Sequence, residues 1–259
     1  MTEIIQIEKK IEDSLIRLKN EFGLYAVKAE FEAEGSSFRD LARLRRWTAR
    51  HDIALYLKIG GVEALRDIKD AFDLGVDGLI APMVESPFGI NKFTKAVTSI
   101  FSGRDVYRSI NIETRTAVLY IDDILTEAKG KIDNITIGRT DLSLSYFDSE
   151  VKPDSEFIFN LIDAISYKVR AAGLALTIGG SITTESINQL KKNRRKGVKS
   201  MSSLETRKII LPVESFLDKE YALKEALRFE ELYLRSKLET ERLLSQVDRD
   251  RLDKLKSRI

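Results

Sequence analysis

The chain has 259 residues, 43% hydrophobic and 32% charged, with four prolines, 14 glycines, no cysteine and one histidine, His51. The length allows one large domain, a size common for α/β barrels, or two small ones, and the counts exclude a disulfide scaffold, a thiolate or histidine-rich metal site, a cysteine nucleophile and, in practice, a Ser–His–Asp triad. Lys and Arg (43) nearly cancel Asp and Glu (41), so no global field draws the protein to nucleic acid or anionic lipid. No apolar run reaches the roughly 18 residues of a membrane span, and the acidic start Met1-Thr2-Glu3 lacks a basic leader; a soluble cytoplasmic protein is the expectation.

Residues 1–23 read as an amphipathic helix, with Ile4, Ile7, Ile11, Leu15 and Leu18 at three- and four-residue steps among Glu, Lys and Arg. From Leu24 the pattern becomes short apolar runs alternating with amphipathic stretches. Strands are predicted over 24–32, 53–59, 78–84, 106–113, 134–137, 174–178 and 198–201, with 209–211 as a weaker eighth. Helices are predicted over 38–50, 62–74, 87–101, 115–129, 154–172 and 184–192. That alternation means parallel βαβ units over residues 24–212. Polar residues gather at the ends of the strands, as at Glu30, Lys58, Glu85, Glu113 and Asp141. This favours a TIM-type (β/α)8 barrel, whose active site lies on the C-terminal face. A doubly wound sheet would want a G-x-G-x-x-G turn after its first strand, and Gly35-Ser36-Ser37 is not one.

Residues 213–259 form a third segment. From 214 onward it holds 11 acidic and 11 basic side chains with no Gly or Pro. Leu223, Leu227, Leu234 and Leu238 space like a coiled-coil seam. This long charged helix packs on its own barrel or a sister subunit, or else docks a different partner.

Period-two alternation puts Tyr107, Ser109, Asn111 and Glu113 on one face of their strand. The next strand ends in Ile137-Gly138-Arg139-Thr140-Asp141-Leu142-Ser143. Neighbouring strands lie about 4.8 Å apart, so Glu113 and Asp141 can approach one point. Two hard oxygen ligands suit Mg²⁺ or Mn²⁺, with water and substrate completing the shell. On spacing alone an alternative stands equal, in which Glu113 caps the helix starting at Arg115 and Asp141 caps the loop after its strand.

Asn111-Ile-Glu-Thr-Arg115 and Ile137-Gly-Arg-Thr-Asp-Leu-Ser143 resemble the Q-I-E-T-R and I-G-x-x-D-L-S motifs of the HpcH/HpaI aldolase and citrate lyase β-subunit superfamily. Gly75-Val-Asp-Gly-Leu-Ile-Ala-Pro-Met-Val84 and Glu30-Phe-Glu32 match two further motifs in the family's order. The resemblance spans roughly residues 24–145. It implies an oligomeric phosphoenolpyruvate/pyruvate-type barrel in which Glu113 and Asp141 hold a divalent ion. The implied activity is a class II aldolase-type carbon–carbon lyase acting on a pyruvate-derived 2-keto acid through a metal-stabilised enolate. Asn111 stands at the family's Gln, as a substrate or metal-water contact. Arg139 is a candidate clamp for a second anionic group, with a surface ion pair as the alternative. The backbone N–H groups from Gly138 through Asp141 are expected to hold the substrate carboxylate.

The departures are equally specific. The family's His after D-x-E is Ala33 here, its substrate-binding Arg aligns with Lys58, and its opening strand is replaced by the N-terminal helix, so the first barrel strand is missing or supplied from elsewhere. Glu30 and Glu32 are the candidate proton carriers or partners of Lys28. Lys58 is a candidate for the substrate's carboxylate or oxyanion, for a Schiff base, which needs a depressed pKa that adjacent glutamates oppose, or for an ion pair. Thr177-Ile-Gly-Gly-Ser-Ile-Thr183 reads as a phosphate loop or a tight turn capped by Thr183 or Thr184. Leu204-Glu-Thr-Arg-Lys208 is either a chance echo of the first Glu-Thr-Arg or another loop at the rim. The basic run 191–196 reads as a solvated helix end rather than a nucleic-acid patch. The rival to the lyase reading is an altered barrel acting as a ligand-binding or assembly protein through its C-terminal helix.

Overall fold

A computed structural model describes residues 3–192 and 200–258. Eight strands close into a barrel in sequence order: β1 (Ala26–Glu30), β2 (Ala54–Lys58), β3 (Gly78–Ala81), β4 (Tyr107–Ile112), β5 (Asn134–Gly138), β6 (Ala175–Gly179), β7 (Ser203–Glu205) and β8 (Ile209–Pro212). Strands β1 to β7 run parallel. Strand β8 runs antiparallel to both neighbours, pairing Leu204 with Leu211 on one side and Ala26 with Ile210 on the other. The barrel place before β1 is thus filled by the chain's last strand, returning from β7 through Thr206–Lys208. Three residues cannot make a parallel crossover, which needs a dozen or more, so the short connection forces the hairpin.

The helices lie outside: α1 (Glu3–Phe22), α2 (Phe38–Arg50), α3 (Leu65–Leu74), α4 (Pro87–Ile100), α5 (Arg115–Leu119), α6 (Ile121–Ala128), α7 (Arg139–Leu144), α8 (Glu156–Ala171), α9 (Thr184–Lys192), α10 (Val213–Asp218) and α11 (Ala222–Lys256). Their starts follow local chemistry. Ser37 and Asp40 form a reciprocal capping box on α2, and Ser86 and Ser155 cap α4 and α8. Helix α1 buries Ile7, Ile11, Leu15, Leu18 and Phe22. It lies against α11, where Glu225 accepts from Ser14 Oγ (3.0 Å) and Arg17 Nη1 (3.2 Å), and its Glu8 and Glu12 pair with Arg46 and Arg50 of α2. It therefore completes the helical layer between the chain's end and α2. Trp47 is buried in the core.

Some boundaries differ from those predicted. The stretch 115–129 divides at Tyr120 into α5 and α6. The stretch from 213 divides at Lys219–Tyr221 into α10 and α11, and the ammonium of Lys219 binds the Glu21 carbonyl. Strand β7 begins at Ser203 instead of within 198–201, of which 198 and 199 lie outside the described residues, as do 193–196 of the basic run. No helix among the described residues is long and apolar enough to cross a membrane.

Candidate active site

A cavity of about 390 Å³ opens at the C-terminal ends of the parallel strands, the end where barrel active sites form. Glu113 stands one residue past β4 and is 2% exposed. Its Oε1 accepts from the Met83 amide (3.0 Å) and its Oε2 from Asn111 Nδ2 (3.0 Å). Thr114, not Glu113, caps α5, accepting from the Ala117 amide at 3.1 Å. Burial pushes the Glu113 carboxyl above the ordinary value. Lys58, Met83 and Asn111 oppose that rise, and Asp141 adds to it. Asp141 lies in α7 on the same cavity. Its carboxylate makes no hydrogen bond among the described residues, so neither acid is occupied as a cap.

Two backbone features hold Glu113 in place. A Cβ at Gly138 would stand 2.6 Å from Glu113 Oε2, so β5 needs glycine where it passes the carboxylate. Met83, whose amide meets Oε1, has φ +51°, a conformation uncommon outside glycine that clusters at functional sites. Asn111 Oδ1 is buried with no hydrogen-bond partner among the described residues. Two carboxylates and a free amide oxygen are hard donors of the kind that Mg²⁺ and Mn²⁺ take. Among the described residues no group of three or more His, Asp or Glu is disposed around a metal position. A cation here would therefore rest on Glu113 and Asp141, with water and substrate in the remaining places. Five carboxylates and three cations line the cavity, an acidic excess that suits such an ion.

The opposite wall is a chain of charges. Lys28 Nζ lies 2.6 Å from Glu205 Oε1 and 3.4 Å from Glu30 Oε1, and Lys58 Nζ lies 3.8 Å from Glu30 Oε2. Burial opposes the charge on Lys28, but Glu205 and Glu30 outweigh it and hold the ammonium above its usual value. Burial likewise opposes ionisation of Glu30, and Lys28, Lys58 and Arg207 overcome it. A Cβ at Gly179 would stand 2.8 Å from Glu205 Oε1, so β6 uses glycine to admit that carboxylate, as β5 does for Glu113.

Two residues expected at the site lie elsewhere. Glu32 lies in the turn after β1, exposed, and does not line the cavity; the strand ends at Glu30, so the alternation does not carry to 32. Arg139 is fully buried and turned away from the cavity. It donates to the carbonyls of Gly179 (3.2 Å), Gly180 (2.7 Å) and Ser181 (3.1 Å) and to Asp154 (2.6 Å). It is a strut under the β6 loop, not a clamp for ligand. Thr140 does line the cavity and bonds Ser181 Oγ at 3.0 Å. Thr183 caps α9 through the Ser186 amide (3.1 Å).

Of the late elements, the rim-loop alternative for Leu204–Lys208 is the one the structure shows, whereas the α11 residues on the cavity were not anticipated. The Leu204–Lys208 stretch is the end of β7 and the hairpin turn, and it brings Glu205, Thr206 and Arg207 to the cavity. Leu227 and Glu230 of α11 overhang the same space. Lys208 is buried under α11 against Glu34 and the Tyr233 ring (4.5 Å). Burial lowers its pKa despite Glu34.

A closed α/β barrel with an acid pair and an interior lysine–glutamate chain at its carboxyl end defines a class of carboxylate-based barrel. The sequence profile of the HpcH/HpaI aldolase/citrate lyase family matches residues 46–202, and the chain belongs to that family. Among solved structures, an HpcH/HpaI aldolase from Desulfitobacterium hafniense DCB-2 superposes with TM-score 0.60 at 14% identity, covering 76% of this chain and 81% of that one. An HpcH/HpaI aldolase/citrate lyase family protein from Burkholderia cenocepacia J2315 gives 0.59 at 17% identity, covering 85% and 89%. A variant of the citrate synthase SbnG gives 0.56 at 18% identity, covering 94% and 91%. At these identities the likeness speaks for the fold. No curated protein matches by sequence.

Proposed function

We propose that the protein is a divalent-metal-dependent carbon–carbon lyase acting on a pyruvate-derived or related 2-keto acid. The observation that carries this reading is the meeting of Glu113, Asp141 and the unpartnered Asn111 Oδ1 on one cavity. Glu113 and Asp141 would hold Mg²⁺ or Mn²⁺, which when bound supplies Lewis acidity toward a keto oxygen. The chain's own groups supply the rest. Lys58, drawn toward Glu30 at 3.8 Å without close contact, neutralises negative charge that develops on the substrate as the carbon–carbon bond breaks. Glu30, buried between Lys28 and Lys58 on the same cavity, would exchange a proton with substrate carbon. Thr140 and Ser181 form the hydroxyl wall against which a carboxylate is oriented. Ala33 offers no acid–base group at the family's His, and loss of such a group costs about 10²–10⁴ in rate. A slow enzyme or the Glu30 route follows.

A second reading is favoured by α11. Beyond its packed first half, Leu238, Leu244, Val247 and Leu252 are exposed on the helix, which supports assembly, either with sister subunits or as the main task of an altered barrel.

Titration with Mn²⁺, with and without oxalate as a mimic of the keto-acid end, tests the lyase reading. Wild type should bind oxalate only when Mn²⁺ is present, and Asp141→Asn, a near-isosteric change at a half-buried side chain, should lose that dependence while melting within about 2 °C of wild type. Absence of Mn²⁺-dependent oxalate binding in wild type removes the lyase reading and leaves the assembly one.

A further inference from the structure

The lumen of a (β/α)8 barrel is ordinarily packed with layers of branched aliphatic side chains. Below the charged wall this one is not. A second cavity of about 340 Å³ opens at the N-terminal ends of the strands, within the ~300–1,000 Å³ range of small-molecule sites. Ile80 and Ile210 are the branched aliphatic side chains lining it.

Its floor is a ladder of neutral polar groups across four strands. Asn134 Nδ2 donates to Ser109 Oγ (2.8 Å) and Thr136 Oγ1 (3.0 Å). Thr177 Oγ1 donates to Asn134 Oδ1 (3.0 Å) and lies 2.8 Å from Ser203 Oγ. Its side is aromatic: Tyr56 and Tyr107 stack with centroids 4.9 Å apart and planes 15° apart. The Tyr56 ring lies where a Cβ at position 78 would stand 2.5 Å from it, so Gly78 is the condition for this platform. The hydroxyls of Tyr56 and Tyr107 make no hydrogen bond among the described residues. Burial, with Asp77 and Asp133 nearby, pushes the Tyr56 phenol up to about 12 and Tyr107 further in the same direction. Both remain donors at any physiological pH.

The charges around the cavity are already engaged. Glu205, which lines both cavities, is held by Lys28 at 2.6 Å. Asp77 accepts from Arg45 and the Leu55 amide, and Asp133 from the Arg108 amide. An anionic guest would meet these carboxylates with no free cation, a cationic one would find the lining carboxylate, Glu205, already paired with Lys28, and an apolar one would strip water from the hydroxyls with no return. A ring with an apolar face and several hydroxyls meets both walls, stacking on the tyrosines and bonding the ladder.

We propose that this lower cavity is a binding site for an uncharged, polyhydroxylated ring of single-sugar size, separate from the candidate active site and independent of the reaction assigned to it. The probe is D-glucose, followed by saturation-transfer NMR on the intact protein, with gluconate and glucosamine as charged analogues of similar size. Wild type should give a saturable millimolar signal for glucose that neither charged analogue matches. Thr177→Val removes the hydroxyl joining Asn134 to Ser203 and should weaken binding roughly fivefold, the equivalent of one hydrogen bond. Tyr107→Leu should abolish it. No saturable glucose signal from wild type at tens of millimolar (on the order of 50 mM, above the weakest affinities of such sites), equal binding of gluconate, or unchanged binding in Thr177→Val would each overturn the proposal. The analogue comparison uses wild type alone, so it stands even where Tyr107→Leu folds poorly.

Discussion

Replacing Lys28 by Met removes the cation at the centre of the interior charge chain while keeping the apolar stem. Lys28 is 6% exposed and its ammonium serves two carboxylates, of Glu205 at 2.6 Å and Glu30 at 3.4 Å, residues that are each 5% exposed. Without it Glu30 keeps Lys58 at 3.8 Å, and no other cation lies within ion-pair distance of Glu205 among the described residues. Breaking a buried pair from one side costs roughly 3–5 kcal/mol, or about 6–20 °C in Tm for a domain of this size. The loss carries a pH signature. Glu30 is held below its ordinary value of 4.5 in the folded protein. Its contribution is therefore present above that pH and disappears as pH falls through the lowered folded value. Lys28→Met should melt far below wild type at pH 7, and the gap should narrow as pH falls below 4.5 through the lowered folded value of Glu30, whose protonated carboxyl no longer needs the ammonium. Adding Glu205→Gln should recover more than half of the loss at pH 7. Melts by circular dichroism across pH 3.5–8, with urea unfolding at pH 7, measure all of this. A variant within about 2 °C of wild type, or a gap indifferent to pH, would refute the reasoning.

Gly138→Ala places a methyl 2.6 Å from Glu113 Oε2. It should cut Mn²⁺ affinity roughly 10–100-fold, as displaced supporting groups do, and calorimetric titration reads it. Arg139→Met should destabilise by about 3 kcal/mol, or roughly 6–12 °C, because the carbonyls of residues 179–181 lose their donor. Arg139→Lys should recover only part of this, lacking the planar fork. A normal melt with lost oxalate binding would instead return Arg139 to the ligand. Removing residues 241–259 should leave Tm within about 3 °C and reduce the oligomer seen by light scattering. Removing 214–259 should yield no folded protein, since Phe216, Phe229, Leu232 and Tyr233 belong to the core.

The first six strands were legible because each pairs an apolar run with a helix of matching period. Asn111 and Glu113 follow from alternation along β4, and Asp141 from its place just beyond β5. Strand β7 was displaced because its inward positions, Ser203 and Glu205, are polar and so lack the apolar signal. The antiparallel sense of β8 was available in the three-residue spacing between Glu205 and Ile209, a hairpin length. The burial of Arg139 was not available. It depends on Asp154 and the β6 loop converging on one side chain from distant parts of the chain. Glu32 failed for a local reason, since one turn past a strand end the two-residue period no longer fixes direction.

The closing strand has a consequence for synthesis. Ala26 finds its second partner only at Ile210, so a nascent chain carries β1 with one open edge through most of its translation, and the strand made last, β7 at the end, is open on the far side of the sheet. Such edges template pairing with other chains, and contacts this remote in sequence form late. A ribosome paused before codon 209 would hold an unclosed sheet. The demand for chaperone protection should therefore fall sharply once the hairpin emerges.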